Sequence, residues 1–390
     1  MDNYKRIGLY IHIPFCVHKC AYCDFCSAVA SDKMQMQAYV DALARDIIHT
    51  GQQISRDNVI VDSVYFGGGT PSLLQKKDIE YLIDTIYEAF QVTEDAEFTF
   101  EVNPATLDRA KAKTLYECGV NRLSIGMQSA HDNELEALSR VHNLKDFVNC
   151  FKIARKAGFE NINIDVMYGI PEQTKESFMQ TLAVVCELKP EHVSMYGLRI
   201  EEGTPFSVHK SELILPDEDE EYSMFRQGRT FLKEHGYAHY EISNFALEGF
   251  ESKHNMKYWR CREYIGLGVA AHSFYNGVRY AKITDTDRYI AYICGGEEER
   301  FDDTIVASSV EEITPEALEV EYVMLGLRTA HGVVKENYER KFGISFDEKY
   351  GERIREYADA GFIIDTEKKC RFSAEGMYVS NTILADILDL

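Results

Sequence analysis

The sequence predicts an α/β fold, in which a partial (β/α)6 barrel of the TIM type is followed by a smaller C-terminal α+β part resembling a winged helix. Three observations support this prediction. Short β-branched runs alternate six times with amphipathic segments, polar residues follow the ends of those runs, and the alternation stops after about Pro205. Because the carboxyl ends of parallel strands meet at one face, we expect a functional site there.

The six predicted strands are apolar and rich in β-branched residues, and they cover residues 8–13, 61–66, 97–102, 122–126, 161–167 and 193–198. Helices are predicted over residues 76–90, 108–118, 144–157 and 175–188, where apolar residues recur every three or four positions. Gly119 and Gly158 follow two of these helices, as C-terminal caps do.

Polar residues and glycines stand at the end of each predicted strand or just beyond it. They are Cys16, the glycines at 67–69, Glu101, Gln128, Asp165 and Tyr196. In a parallel barrel these positions converge on one mouth, so the sequence predicts that they share a site.

The pattern divides the chain into three predicted parts, at residues 1–205, 206–310 and 311–390. The middle part begins with a helix over residues 217–235 and continues as irregular, Gly-rich sequence to about Ile293. From Thr314 the order is three helices, a hairpin and a last helix. Although winged helices often bind DNA, the acidic composition favours a structural or partner-docking role.

Composition excludes several classes of protein. A net charge of −22 disfavours nucleic-acid partners. The sequence contains no apolar run long enough to span a membrane and no secretion signal at its start, so we expect a cytoplasmic protein, with peripheral membrane contact left open. The ten cysteines would then be reduced, and clustered cysteines would be metal ligands.

Cys16, Cys20 and Cys23 lie within eight residues, directly after the first predicted strand. Three thiolates can hold three irons of a 4Fe-4S cluster and leave the fourth iron open, and in radical S-adenosylmethionine (SAM) proteins SAM occupies that position. A zinc site completed by Cys26 or His18 is the alternative. The compact CxxxCxxC spacing favours the cluster, because structural zinc sites usually join two separated knuckles.

A glycine-rich turn, GGGTP at residues 67–71, follows the second strand and would let backbone groups approach the charged amino-acid part of SAM. Glu101 and Asp165 end apolar strands, where an unpaired charge is costly, and they could pair with the SAM ammonium group or ribose. The turn could also be an ordinary tight turn. The carboxylates could instead form salt bridges, for which the available partners are Arg122, Arg140 and Arg199.

The motifs LYIHIPFCxxxCxYCDF, FGGGTPS, FEVNP, LSIGMQS, NINIDVMYGIPEQT, YEISNFA and HNxxYW occur in this order over nearly the whole chain. In them the chain resembles the radical SAM coproporphyrinogen III oxidase-like family, specifically its heme chaperone branch, HemW. The resemblance implies a radical SAM barrel with the 4Fe-4S cluster on Cys16, Cys20 and Cys23. It also implies SAM contacts at Tyr10, Phe25, Gly68, Gly69, Thr70, Glu101, Gln128, Arg140 and Asp165.

Two features separate the chaperone branch from the oxidase. The oxidase has a further cysteine where this chain has Phe25, and it has a longer segment ahead of the cluster. The HNxxYW element begins at His254, which the resemblance implies as a heme ligand. The alternatives are a hydrogen-bonded core histidine and, for Tyr258 and Trp259, packing roles.

The resulting hypothesis is a radical SAM-type heme chaperone that binds heme and transfers it to an apo-hemoprotein. A reductant such as flavodoxin or ferredoxin would serve the cluster, and no catalytic residue is assigned. The alternative from the enzyme class is oxygen-independent coproporphyrinogen III oxidase, which decarboxylates coproporphyrinogen III to protoporphyrinogen IX. A zinc-stabilised binding module is the third possibility.

Overall fold

The computed structural model describes residues 4–30, 32–55, 57–295 and 307–390. As far as Gly197 its strands are β1 (Lys5–Ile13), β2 (Phe15–Cys16), β3 (Ala28–Val29), β4 (Val59–Gly68), β5 (Val92–Val102), β6 (Arg122–Gln128), β7 (Ile162–Tyr168) and β8 (His192–Gly197). The helices of this region are α1 (Lys33–Ile54), α2 (Lys76–Ala89), α3 (Arg109–Glu117), α4 (Asp132–Ala137), α5 (Leu144–Ala157) and α6 (Lys175–Leu188).

The six predicted strands are confirmed as β1, β4, β5, β6, β7 and β8, which lie side by side in that order and are all parallel. Their apolar side chains fill the main core, where Phe66 stacks on Phe98 and Phe100. The α/β fold with a parallel sheet is therefore as predicted, because burial on both faces selects continuous apolar strands.

The four predicted helices are confirmed as α2, α3, α5 and α6. Asn143 caps the start of α5 in a capping box, and Gly158 ends it in the left-handed conformation, with φ of 109°. In the part of the chain that the structure describes, no helix is both long and apolar enough to cross a membrane.

The middle part extends this sheet. Its elements are α7 (Pro205–Val208), α8 (Glu218–Glu234), β9 (Ala238–His239), β10 (Asn244–Ala246), α9 (Lys253–Trp259), β11 (Tyr264–Leu267), β12 (His272–Tyr275), β13 (Val278–Lys282), α10 (Thr286–Cys294) and β14 (Ala307–Glu312). Strands β10 and β9 continue the sheet beyond β8, whereas β11 to β14 continue it beyond β1. Residues 296–306, which belong to the predicted middle part, lie outside the described residues.

The prediction of irregular sequence as far as Ile293 was wrong. Strand β11 runs parallel to β1, and β12 to β14 follow as antiparallel neighbours. These strands are four to six residues long. Gly266 lies within β11, at a point where a side chain would collide with the carbonyl of His272. Pairing with a strand more than 250 residues away in the chain gives no local sequence signal.

The C-terminal part has its own core and a three-stranded sheet in the order β15-β17-β16. Its elements are α11 (Pro315–Leu327), β15 (Val333–Val334), α12 (Lys335–Phe342), α13 (Phe346–Asp359), β16 (Ile363–Asp365), β17 (Lys369–Phe372), α14 (Ala374–Tyr378) and α15 (Ser380–Leu388). The order of three helices and a hairpin is confirmed. The predicted last helix is two helices, separated at Val379. The domain boundaries at 205 and 310 remain a prediction.

A buried charged group joins the middle part to the barrel. The carboxylate of Asp46, on α1, forms an ion pair with Lys282 of β13 and accepts a hydrogen bond from the Tyr289 hydroxyl at 2.6 Å. It also accepts the backbone N–H of Gly268 at 3.1 Å. Both charged side chains of this pair are buried away from water, so each charge is stabilised by the other.

We expect Lys282→Met to lower the free energy of unfolding by about 3 kcal/mol, because the buried Asp46 carboxylate would lose its cation. Lys145→Met removes the same charge from the surface of α5 and serves as the control. Chemical denaturation monitored by circular dichroism measures both. Equal stability of the two variants would contradict the importance of this pair.

Candidate functional site

A cavity of about 380 Å³ opens at the carboxyl ends of the parallel strands. The predicted residues that line it are Cys16, Cys20, Cys23, Phe25, Gly68, Gly69, Thr70, Glu101, Gln128, Arg140 and Asp165, and Tyr196 joins them. All six strand ends therefore contribute to one site, as the positions of the polar residues predicted. Of the predicted site residues, Tyr10 and His254 do not line this cavity.

The loop that carries the three cysteines is fixed by backbone hydrogen bonds to its surroundings. The N–H of Ala21 donates to the carbonyl of Leu138, and the carbonyl of Ala21 accepts from Phe206 at 3.0 Å. At the loop's end, Nε2 of His12 donates to the carbonyl of Cys26 at 2.8 Å, and its Nδ1 lies 3.1 Å from the Tyr10 hydroxyl. The thiols are thus held against the barrel mouth.

Two of the thiols each have a polar neighbour. The Thr70 hydroxyl lies 3.6 Å from the sulfur of Cys16, and the Arg140 guanidinium lies 3.6 Å from that of Cys20. Burial raises the pKa of the third thiol, Cys23. A ligand set of thiolates with a half-buried cation beside it suits an anionic iron–sulfur cluster.

Within the described ranges, no three His, Cys, Asp or Glu side chains converge as ligands of a single metal ion would. A 4Fe-4S cluster does not need such convergence, because each thiolate binds a different iron. The thiol of Cys26 points elsewhere and donates to the carbonyl of Thr284 at 3.3 Å.

The glycine-rich turn is packed directly on the cysteine loop. The N–H groups of Gly69 and Thr70 donate to the carbonyls of Ile13 and Phe15, at 2.8 and 2.7 Å. A Cβ on Gly69 would lie 2.7 Å from the Phe15 carbonyl oxygen, and Gly68 has a φ of 107°. Both positions therefore require glycine.

Glu101 sits at the end of β5 with its side chain in the cavity. It accepts a hydrogen bond from the Tyr65 hydroxyl at 2.7 Å. Burial raises the pKa of Glu101 to about 7. The hydrogen bond from the Tyr65 hydroxyl opposes this rise, whereas the negative charge of the nearby Asp165 contributes to it. No Lys or Arg among the described residues forms a salt bridge with it, so a cationic ligand would favour its ionised form.

Asp165, at the corresponding position of β7, is held by neutral donors. Asn163 donates to it at 2.7 Å and Ser124 at 3.2 Å. Burial raises its pKa, and these hydrogen bonds counteract the effect. The salt bridges considered as an alternative for Glu101 and Asp165 are not formed in the described part of the chain.

Arg140 and Gln128 share the side of the cavity formed by β6. Arg140 donates to the carbonyl of Gly126 at 3.0 Å, and its buried Nε has no partner among the described residues. Gln128 has a φ of 69° at a register shift between β6 and β7. A non-glycine residue in this conformation is uncommon, and here it turns the end of β6 at the cavity wall.

Phe25 lies at the rim of the cavity and is 60% exposed, so its ring is available for stacking. Sequence reasoning did not predict several residues that line the cavity, and Tyr22, Tyr65 and Ser124 are among them. For Tyr65 and Ser124 the signal was a hydroxyl within a buried strand. Tyr22 lies between two of the cysteines and gave no separate signal.

Tyr10 lies behind the cavity, with its ring stacked on Tyr65 at a centroid distance of 6.2 Å. His254 is buried at the start of α9. Its Nδ1 lies 3.0 Å from the Ser63 hydroxyl and its Nε2 lies 2.8 Å from the Tyr258 hydroxyl. This is the arrangement of a hydrogen-bonded core histidine, and burial lowers its pKa to about 3.

Comparison with known proteins places this cavity in a family context. The radical SAM superfamily matches residues 10–185, and the HemN C-terminal domain matches residues 313–379. The chain is 35% identical over 382 residues to heme chaperone HemW of Bacillus subtilis, covering 97% of this chain and 98% of that protein. It is 37% identical over 272 residues to heme chaperone HemW of Escherichia coli, covering 70% and 71%.

Among solved structures, the chain is similar to coproporphyrinogen III oxidase (HemN) from Escherichia coli, described as a radical SAM enzyme. The TM-score is 0.84, and the likeness covers 99% of this chain and 90% of the oxidase. Sequence identity is 24%, so this similarity establishes the fold.

We expect Glu101→Gln to stabilise the metal-free protein at pH 8 by on the order of 2 kcal/mol, because ionising a carboxyl with a raised pKa costs stability. The destabilisation caused by ionised Glu101 grows as pH rises from 4.5 to 7. The extra stability of the Glu101→Gln variant should therefore nearly vanish at pH 4.5. Glu94→Gln, on the exposed part of β5, is the control. Thermal unfolding at both pH values measures the difference, and a pH-independent gain would contradict the raised pKa.

Proposed function

Because the chain belongs to the heme chaperone HemW family of radical SAM proteins, we propose that it binds heme and passes it to an apo-hemoprotein. The observation that carries the proposal is the likeness from end to end to proteins named heme chaperone HemW, at 34 and 35% identity over 97 to 98% of this chain. The proposal includes a 4Fe-4S cluster and SAM in the barrel cavity.

Cys16, Cys20 and Cys23 would hold the cluster. The fit is supported by their common position at the cavity wall and by the guanidinium beside Cys20, which offsets negative charge. A bound cluster would supply an electron to SAM and an open iron for its amino and carboxylate groups.

SAM would occupy the space between the glycine turn and the strand ends. Glu101 and Asp165 are placed to balance its positive charges or to accept hydrogen bonds from its ribose. Phe25 could stack on its adenine at the rim. The proposal locates this chemistry in the cytoplasm, where thiols stay reduced, and takes flavodoxin or ferredoxin as the electron source.

Coproporphyrinogen oxidation is the rival function, since the fold is that of the oxidase HemN. Against it stands Phe25, which occupies the place of the oxidase's further cysteine. The two functions differ in whether a porphyrinogen is consumed, so one reaction mixture separates them.

The reconstituted and reduced protein should bind ferric heme, seen as a shift of the Soret band, and should form no protoporphyrinogen from coproporphyrinogen III in the presence of SAM. Chromatography of the oxidised porphyrins detects the product. Turnover of coproporphyrinogen III would overturn the carrier-only proposal.

Cys20→Ser should abolish the broad brown absorbance of the cluster, because a thiolate ligand is lost. Cys26→Ser should retain it, since that thiol points toward the Thr284 carbonyl. Iron and sulfide analysis after anaerobic reconstitution checks both variants. Loss of iron from the Cys26→Ser protein would show that the ligand set is wrong.

The role of His254 as a heme ligand stays a prediction, and it would require one ring nitrogen to leave Ser63 or Tyr258. We expect His254→Ala to weaken heme binding, to leave the cluster absorbance intact and to lower the free energy of unfolding by about 3 kcal/mol. His209→Ala, at the surface, is the control. An unchanged heme titration would contradict any role of His254 in heme binding.

A further inference from the structure

A chain of buried polar side chains leads through the barrel to Asp165. The Tyr240 hydroxyl lies 2.7 Å from Nε2 of His192, and Nδ1 of the same ring lies 2.6 Å from Oδ1 of Asn163. The amide nitrogen of Asn163 donates to Asp165 at 2.7 Å. The first three residues of this chain are buried and do not line the cavity, so they can affect a ligand there only through Asp165.

These side chains occupy the barrel interior, which barrels of this type usually fill with branched apolar residues. Asn163 and His192 are paired on the neighbouring strands β7 and β8. Burying a polar side chain costs free energy unless its polar atoms find partners. Here each side-chain nitrogen and oxygen of Asn163, His192 and Tyr240 has one. A complete buried network of this kind holds its members in a single arrangement.

The partners of the Tyr240 hydroxyl fix where its hydrogen points. Among the described residues, its other partner is the backbone N–H of Ser252 at 3.3 Å, which is itself a donor. The hydroxyl hydrogen is therefore donated to Nε2 of His192. Because burial lowers the pKa of His192 well below its usual value, the ring is neutral and carries a single hydrogen. That hydrogen lies on Nδ1 and is donated to Asn163.

The other end of the chain requires the same direction. Oδ1 of Asn163 accepts from His192 and from the Ser194 hydroxyl at 3.1 Å. Its amide nitrogen is left to donate to Asp165, and to Oγ of Ser124 at 2.7 Å. A reversed amide would place its oxygen 2.7 Å from a carboxylate oxygen, where two acceptors repel each other. The donors thus point toward Asp165, whose second oxygen accepts from the Ser124 hydroxyl at 3.2 Å.

The YEISNFA motif, at residues 240–246, holds the first member of the chain in place. The backbone N–H of Tyr240 donates to the carbonyl of Asn244 at 3.1 Å, and its carbonyl accepts the N–H of Ala330 at 2.9 Å. Strand β10, at the end of the motif, pairs with β8 and sets Ala246 opposite His192. The motif therefore supplies a hydroxyl to the ring nitrogen of His192 that faces away from the barrel cavity.

Arg122 is also buried in the barrel and is the alternative source of order at Asp165. Burial raises the pKa of Asp165, and the positive charge of Arg122 counteracts this rise. The Arg122 guanidinium donates to the Thr99 hydroxyl at 3.5 Å, and within the described ranges it forms no hydrogen bond with Asp165. The orientation of the carboxylate therefore comes from its bonded donors, Asn163 and Ser124.

We propose that Tyr240 and His192 are positioning residues for Asp165 and that they set the affinity of the barrel cavity for SAM. The chain fixes the plane of the carboxylate, so its oxygens are already oriented toward the ribose hydroxyls or the positive charge of SAM before SAM binds. This role depends on the proposed SAM site, to which it adds two residues that do not contact the ligand.

Titration of the full-length, cluster-reconstituted protein with SAM, followed by calorimetry, tests this role. Tyr240→Phe removes only the hydroxyl that fixes the His192 ring, and it should weaken SAM binding about fivefold. Tyr237→Phe is the matched control, because it removes the hydroxyl of another buried tyrosine, which donates to the Pro190 carbonyl at 2.7 Å. This control should bind SAM like the parent.

Two variants of His192 separate positioning from general stability. His192→Asn keeps an N–H near the place of Nδ1 and should bind SAM within about threefold of the parent, whereas His192→Leu has no donor and should bind at least about tenfold more weakly. Both variants lose the contact with Tyr240, so a merely structural role would weaken both equally. Equal SAM binding by the two variants, or parental binding by Tyr240→Phe, would overturn the positioning role and leave the SAM site standing. No SAM binding by the parent protein would overturn both.

The direction of the chain also has a spectroscopic signature that does not depend on SAM. In the full-length protein with isotope-labelled histidine, the nuclear magnetic resonance signal that disappears in His192→Asn belongs to His192. Its nitrogen chemical shifts should show a hydrogen on Nδ1 and none on Nε2. A hydrogen on Nε2 would reverse the chain and overturn the positioning role.

Discussion

The parallel pairing of β1 with β4 is the constraint on which the barrel site depends. Its register sets Ile13 opposite Gly68, so the loop after the first strand and the turn after the second leave the sheet side by side. The two hydrogen bonds from Gly69 and Thr70 then fasten the turn to the loop. A shift of one residue would move every side chain to the other face and separate the thiols from the glycine turn.

Among the described residues, the cavity contains charged side chains that have no partner of opposite charge to form a salt bridge with. Glu101 and Asp165 are surrounded by neutral donors, and the cation Arg140 lies beside a thiol instead. The site therefore keeps two carboxyl groups that gain from a cationic ligand and one guanidinium that gains from an anionic cluster. A sulfonium compound and an iron–sulfur cluster match these two needs.

Aromatic side chains that contact each other lie between the barrel cavity and helix α9. Tyr65 lines the barrel cavity and bonds to Glu101, while its ring stacks on that of His254 at a centroid distance of 5.3 Å. His254 in turn belongs to α9, whose residues Lys253, Met256 and Lys257 line a second cleft. Tyr65 and His254 thus link the barrel cavity to α9 by direct contact.

The sequence by itself determined the barrel strands, most of the helices and the residues of the barrel cavity, because these signals are local. Each of these signals, the apolar runs, the capping residues and the cysteine spacing, involves only residues that are close together in the sequence. Only the tertiary structure decided that β11 pairs with β1, that Tyr10 lies behind the cavity and that both nitrogens of His254 are engaged inside the protein. It also decided that cations from β1 and from the turn after α9 meet in one cleft. These facts depend on contacts between residues far apart in the chain, and no local pattern encodes such contacts.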